Sequence, residues 1–143
     1  MQATTSKEIP GTSFLVFSIR EKLYAINTSF VQEILHSAKI HPLPFVPPYI
    51  EGVVNCRGTP YTVVNAALMK GEENYEVLGD TVLVFKRDDD QLALHISNIE
   101  LFFEPDENDI KADGIRYKLN LIPYFDADDV ENTLRKDLRE KES

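Results

Sequence analysis

With 143 residues the chain is one domain's worth, long enough to bury a core without metal or disulfide support. Hydrophobic residues at 43% and charged residues at 27% lie near the globular average, and no apolar run approaches the roughly 20 residues that span a bilayer, which excludes a disordered chain and a helical membrane protein. The net charge of −9, from 15 basic and 24 acidic residues, opposes nucleic acid binding and membrane insertion, and points to protein partners.

From the start, Met1 to Ser13 is polar and lacks the basic-then-apolar layout of a signal peptide. With the single thiol of Cys56 it sets a cytoplasmic expectation. Phe14 to Arg20 reads as a strand, and Leu23 to Ile26 as its hairpin partner. Ser29 and Gln32 have capping-box spacing, which predicts a short helix with Phe30, Val31, Ile34 and Leu35 on one face. Lys39 to Leu43 reads as a brief strand ending in Pro42, Pro44, Pro47 and Pro48, where helix is ruled out. Strands over Ile50 to Cys56 and Pro60 to Val64 follow, hinged at Arg57, Gly58 and Thr59. A helical turn over Asn65 to Met69 and a polar loop over Lys70 to Gly79 close the first half.

The second half repeats the plan. Leu83-Val84-Phe85 echoes Leu15-Val16-Phe17, and Leu92 to Ile96 sits where Leu23 to Ile26 did. Gly114-Ile115 echoes Gly52-Val53, and Tyr124 to Ala127 echoes Val63 to Ala66. The order is kept, with material lost between Ile96 and Gly114. The expectation is an all-β fold with short helices: two five-stranded barrels in tandem, one over residues 13–71 completed by the chain ends and one over 80–127, each too small to stand alone. A terminal helix over 127–141 carries the stripe Val130, Leu134 and Leu138, with acids first and bases last to suit the helix dipole. Its plain reading is a helix packed onto its own barrel.

Chemistry is harder to find. No pair among His36, His41 and His95 has the spacing of a zinc helix, and no cysteine pair exists, so neither a metal nor a cofactor is expected. Asp88, Asp89 and Asp90 suit a hairpin turn. Asp106 and Asn108 begin like a calcium loop, but Lys111 stands where glycine is needed. Cys56 beside Arg57 reads as a small strand residue more readily than as a reactive thiol. No enzyme is expected.

Phe14 to Phe17, Tyr24 to Ile26, Val31-Gln32-Glu33-Ile34-Leu35, and the block from Pro47-Pro48-Tyr49-Ile50 to Asn55-Cys56-Arg57-Gly58 resemble the CheW domain family in order and spacing. The match is close from Phe14 to about Gly71 and continues as pattern to the end. The resemblance implies two SH3-like barrels and a non-catalytic adaptor that joins the cytoplasmic tip of a chemoreceptor to the regulatory domain of a CheA-type histidine kinase. Such a protein is cytoplasmic, is recruited to membrane receptor arrays, and is a monomer or self-associates weakly. Carried over by motif, the kinase-facing residues are Glu33, Ile34, Arg57 and Gly58. The receptor-facing groove between the barrels would draw on Val31, Val82 and Leu83. Arg57 has the alternative of an internal pairing with Glu33, and Leu83 that of a core residue. The chain departs from the family at Cys56, Thr62, Asn65-Ala66 and Ser97-Asn98. The shortened second half predicts weaker receptor engagement than kinase engagement. The alternatives are an accessory scaffold that binds the kinase or another signalling protein without a receptor, and a small ligand-binding barrel or hydrolase with a deep polar pocket.

Overall fold

The computed structural model describes residues 13–69, 79–87 and 90–142. The polar N-terminal stretch up to residue 12, most of the 70–79 loop, Asp88 and Asp89, and the side chain of Leu138 lie outside the described residues.

The element order is β1 (Phe14–Ile19), β2 (Lys22–Asn27), β3 (Val31–Leu35), β4 (Ile50–Cys56), β5 (Thr59–Val64), α1 (Ala66–Met69), β6 (Thr81–Phe85), β7 (Leu92–Ile96), β8 (Asn98–Phe103), β9 (Gly114–Tyr117), β10 (Asn120–Pro123) and α2 (Ala127–Glu142), with 3-10 turns at Thr28–Phe30 and Glu107–Asp109. Chain order and strand neighbours do not coincide. One sheet runs β3-β6-β7-β5-β4; in the other group β2-β1-β8 form one sheet and β10-β9 a second. The sheet of β3 to β7 is closed by the chain after β3: Ala38 N–H donates to the Asp80 carbonyl at 2.8 Å, and His41 exchanges two hydrogen bonds with Val53 at 2.8 Å. The other group is closed where Ala25 bridges Tyr124 and accepts from Phe125 N–H at 2.9 Å.

Each group has five strands, but the groups are not the two halves of the chain. One barrel is contiguous, from Val31 to Ile96. The other joins β1 and β2 to β8, β9 and β10 from the far end. The expected division at 13–71 and 80–127 is therefore replaced by an exchange, in which the hairpin of each repeat pairs with the three-strand remainder of the other. The short connections explain it. Ser97 alone links β7 to β8, too little for a hairpin turn, so the chain leaves one barrel and enters the next. β8 itself was not anticipated from the sequence.

The echoes acquire physical meaning here. Leu15 and Phe17 of β1, and Leu83 and Phe85 of β6, belong to one buried cluster between the barrels. Val16 faces the interior of its own barrel with Phe14, Ala25, Ile115 and Ile122, and Val84 does the same with Val54, Tyr61, Val63 and Ala93. Gly52 and Gly114 are places of close approach, where an added Cβ would overlap the carbonyls of His41 and Ile122 respectively. Each repeat ends in a capped helix: Asn65 Oδ1 accepts from Leu68 N–H at 3.1 Å, and Asp126 Oδ1 from Asp128 and Asp129 N–H at 3.0 and 3.1 Å. All five strands of the second repeat remain, but β9 and β10 are shorter than their counterparts β4 and β5, and the connection before β9 is shorter than that before β4.

Two further expectations change. The helix over Ser29 to Leu35 is a 3-10 turn followed by β3, because Glu33, Ile34 and Leu35 pair with Val84, Leu83 and Val82. The turn's cap is Asn27, whose side chain accepts from Ser29 N–H at 2.9 Å. Lys39 to Leu43 contributes one bridge, His41 to Val53, and no strand. The terminal helix packs through Val130 and Leu134 onto the shared cluster, beside Tyr49, Ile50, Ala66 and Ala67. Tyr49 donates a hydrogen bond to Asp137, and Arg87 pairs with Asp90, Asp128 and Glu131 at 2.9, 2.9 and 2.7 Å.

Val82 and Leu83, expected to line a receptor groove, are fully buried: Val82 inside the contiguous barrel and Leu83 in the shared core. Leu83→Ala should therefore destabilise the whole chain by about 2–5 kcal/mol in chemical denaturation, the range for large-to-small core changes. A cost below about 1 kcal/mol would mean the side chain is free to face a partner.

Candidate functional site

The β4–β5 turn closes on the pair Cys56 and Thr59, which leaves Arg57 and Gly58 as a two-residue loop. Both have left-handed backbones, φ 53° and 86°, as a hairpin turn that follows the strand twist requires. Gly58 N–H donates to Asn55 Oδ1 at 2.8 Å, and a Cβ on Gly58 would meet no atom within 4 Å. Glycine is thus needed here for its backbone, and the space over it is open.

The Arg57 side chain is 80% exposed and its Nη2 lies 3.1 Å from Glu33 Oε1. β3 and β4 are the two edge strands of the five-stranded sheet, so this ion pair spans the seam where the barrel closes. A second contact joins β3 to the β4–β5 hairpin, Gln32 Nε2 donating to the hydroxyl of Tyr61 on β5 at 2.9 Å. Glu33, Arg57 and Gly58 thus form one surface at one end of the contiguous barrel. An exposed ion pair contributes little to stability, but it orients the guanidinium fork, whose remaining N–H donors face solvent on a side chain that is mostly exposed. Arg57 thus pairs internally with Glu33, and its side chain stays exposed. Ile34 follows Glu33 on β3, but its half-buried side chain packs against the shared core, as do those of Val31 and Ile99 of β8. These three mark where the shared core reaches the surface between the barrels. Of the expected groove residues, Val31 alone is placed there.

The repeat adds a counterpart that sequence reading missed. Lys118 and Leu119 form the turn of β9–β10, closed by Tyr117 and Asn120, and Lys118 has φ 57°. They stand in the second barrel where Arg57 and Gly58 stand in the first. Leu119 is fully exposed at this tip. The signal was available in the Gly52 and Gly114 echo, which fixes the turn that follows each.

The other candidates resolve into structure. His95 is buried on β7, with Nδ1 2.8 Å from Glu51 Oε1 and Nε2 2.8 Å from the Gly79 carbonyl, so the doubly protonated ring satisfies both acceptors. Burial pushes its pKa down, but the Glu51 carboxylate, the Gly79 carbonyl and the charge of Asp80 together hold it above the usual value. His36 and His41 are exposed. Among the described residues, no three His, Cys, Asp or Glu side chains are grouped to hold a metal ion. Cys56 is buried in the barrel interior. A cleft of about 160 Å³ lies where the barrels meet the start of α2, floored by Ile26, Phe85 and Phe125 and flanked by Phe30. That is below the roughly 300 Å³ at which small-molecule sites begin. Of its polar groups, Asp126 is engaged in capping the helix and Arg87 with three carboxylates, Asp128 among them. Among the described residues, no helix is long and apolar enough to cross a membrane.

Comparison with known proteins agrees with this architecture. A family model for the CheW-like domain matches residues 13–127. Chemotaxis protein CheW of Treponema pallidum (strain Nichols) is 27% identical over 107 residues, covering 68% of this chain and 61% of that protein. Chemotaxis protein CheW of Bacillus subtilis (strain 168) is 30% identical over 102 residues, covering 63% and 65%. The chain thus matches less than two thirds of the length of these relatives. The crystal structure of scaffolding protein TtCheW from Thermoanaerobacter tengcongensis superposes with a TM-score of 0.71 at 20% identity, over 82% of this chain and 90% of that one.

The buried imidazole predicts a pH dependence. Its folded pKa is raised, so the stability it adds is complete below the unfolded value of about 6.5 and is lost as pH rises through the folded value. Urea midpoints of the parent minus those of His95→Gln should therefore fall between pH 6 and pH 9; a difference that is flat or rises over that window contradicts the assignment. Arg57→Ala should change stability by less than about 1 kcal/mol at any pH, as exposed pairs do.

Proposed function

This chain belongs to the CheW-like domain family, and on that premise we propose that it is a non-catalytic coupling scaffold that joins a chemoreceptor to a CheA-type histidine kinase. The observation that carries the reading is the seam surface of Glu33, Arg57 and Gly58. An exposed guanidinium is held in place by a neighbouring carboxylate, on a turn whose backbone stands open. Such a surface suits reversible protein contact: the fork can take a carboxylate or carbonyls of the partner, and its orientation is already fixed before binding. The kinase regulatory domain is the proposed occupant. The cytoplasmic tip of a receptor is proposed for the strip between the barrels, where Val31, Ile34 and Ile99 are half-exposed over the shared core.

Weaker receptor engagement was expected because the second half is shorter. The shortening falls on β9, β10 and the connection before β9, while β8, which borders the strip, is longer than its counterpart β3. Both contacts are therefore kept in the proposal. The cleft by α2 is small, with Asp126 already capping the helix and Arg87 already held by three carboxylates.

Charge reversal separates binding from folding better than Ile34→Asp, which would set a carboxylate against the shared core and cost stability as well. Arg57→Glu should weaken binding of the kinase regulatory domain at least tenfold in calorimetric titration, with the melting temperature nearly unchanged. The double exchange of Glu33→Arg with Arg57→Glu restores the internal pair but presents it reversed, and should not restore binding. Binding by Arg57→Glu at parental affinity refutes this surface. Val31→Asp should weaken binding to a receptor signalling tip while leaving kinase affinity in place; loss of both, or of neither, refutes the separation of the two sites.

A further inference from the structure

Of the three histidines only His95 is buried. Its ring joins two elements at one end of the contiguous barrel. Nδ1 lies 2.8 Å from Glu51 Oε1 at the start of β4, and Nε2 lies 2.8 Å from the carbonyl of Gly79, where the chain enters β6. The next carbonyl, that of Asp80, accepts from Ala38 N–H at 2.8 Å, and this bond ties the chain after β3 to β6. Two successive peptide groups are thus held by different elements, Gly79 by the imidazole and Asp80 by Ala38. Because β4 runs from Ile50 to Cys56, this end of the barrel is the one away from Arg57 and Gly58.

A carboxylate and a carbonyl can only accept. Both are satisfied at once only when each ring nitrogen carries a proton, so the arrangement fits the imidazolium and neither neutral tautomer. The charged groups that act on the ring are Glu51 on β4 and Asp80 beside Gly79. β6 sets uncharged Val82 opposite His95, and β5 pairs Val63 and Val64 with the two residues before it. Burial works against the charge, but Glu51, the Gly79 carbonyl and Asp80 outweigh it and lift the folded pKa above the usual value. When the proton leaves, one N–H remains for two acceptors. The bond to Glu51 is the one kept, because a hydrogen bond to a carboxylate is about twice as strong as one to a neutral carbonyl. The Gly79 carbonyl then faces a ring lone pair, and a carbonyl without a donor turns towards water.

We propose that His95 is a proton-operated catch: protonated, it pins the Gly79 carbonyl and keeps this end of the barrel closed; deprotonated, it releases Gly79 and Asp80, and with them the bond to Ala38. The catch is shut below the unfolded value of about 6.5 and opens as pH rises through the folded value. What opens is one bond within a folded molecule, in contrast to the global loss of stability that the same titration brings. The entry to β6 and the chain after β3 thereby respond to proton concentration. The catch lies away from Arg57 and Gly58 and does not depend on the coupling reading.

Ring-nitrogen magnetic resonance and amide hydrogen exchange of the full chain, from about pH 5.5 to about pH 9, test this. Both nitrogens of His95 should carry protons at the acid end. Nε2 alone should lose its proton as the pH rises, with Nδ1 still protonated. Over the same step the protection of the Ala38 amide, corrected for the intrinsic exchange rate, should fall at least tenfold. That of Phe125, bonded to Ala25 in the other barrel, should change far less. Glu51→Gln removes the charge facing Nδ1 and should move both transitions together to lower pH. A ring neutral throughout, an Nδ1 proton lost before that on Nε2, Ala38 protection that ignores the titration or falls only in step with Phe125, or an unmoved transition in Glu51→Gln overturns the proposal.

Discussion

β1 and β6 are buried on both faces, and the rest of the molecule is arranged around that fact. Alternate residues of each strand serve two different cores: one side fills its own barrel, and the other meets the neighbouring barrel across a shared layer. Neither barrel can therefore be finished without the other. Phe17, Phe85, Phe125 and Tyr24 interlock in that layer, with ring centroids 5.8 to 5.9 Å apart in the stacked and edge-on arrangements that aromatic pairs prefer. Each such side chain is worth about 1.5–3 kcal/mol of burial, so the layer between the barrels rivals either interior as a source of stability. The exchange of strands makes the union covalent as well. The chain passes between barrels at Thr28–Phe30 and again at Ser97, and parting the two repeats would require breaking β1 from β8, β3 from β6 and β5 from β7.

That constraint also sets where partners can act. A strand covered on both faces has nothing to offer a partner, which removes Val82 and Leu83 from the surface. What remains are the ends of the barrels and the line along which the shared layer comes to the surface. The two-residue turns Arg57-Gly58 and Lys118-Leu119 project from equivalent ends, and the half-buried Val31, Ile34 and Ile99 mark the line between. Among the described residues the geometry favours shallow contacts made by short turns over enclosed pockets. The C-terminal helix covers another stretch of the shared layer. Val130 and Leu134 provide its apolar contact, while Arg87 and Tyr49 fix its position through carboxylates on the helix.

Much of this was legible along the chain. The alternation of apolar residues marked most strands, the echoes of Leu15-Val16-Phe17 and Gly52-Val53 marked a duplicated plan, and Asp126 with the acidic turn after it marked the last helix. Glu33, Arg57 and Gly58 were found by motif and proved to be neighbours. β8 was missed, because its alternation of Asn98, Glu100 and Phe102 with Ile99, Leu101 and Phe103 sits directly against β7, with one residue to separate them. Val31 to Leu35 was misread as helix, since Val-Gln-Glu-Ile-Leu satisfies both periods over so short a span and only pairing with β6 decides between them. Local periodicity and turn chemistry thus marked most of the segments that become strands and where α1 and α2 begin. Which strands pair was decided by the tertiary structure alone. Two repeats with equivalent hairpins can complete either their own barrel or the neighbour's with the same local preferences, and the choice rests on connection length and on burying both faces of β1 and β6 at once.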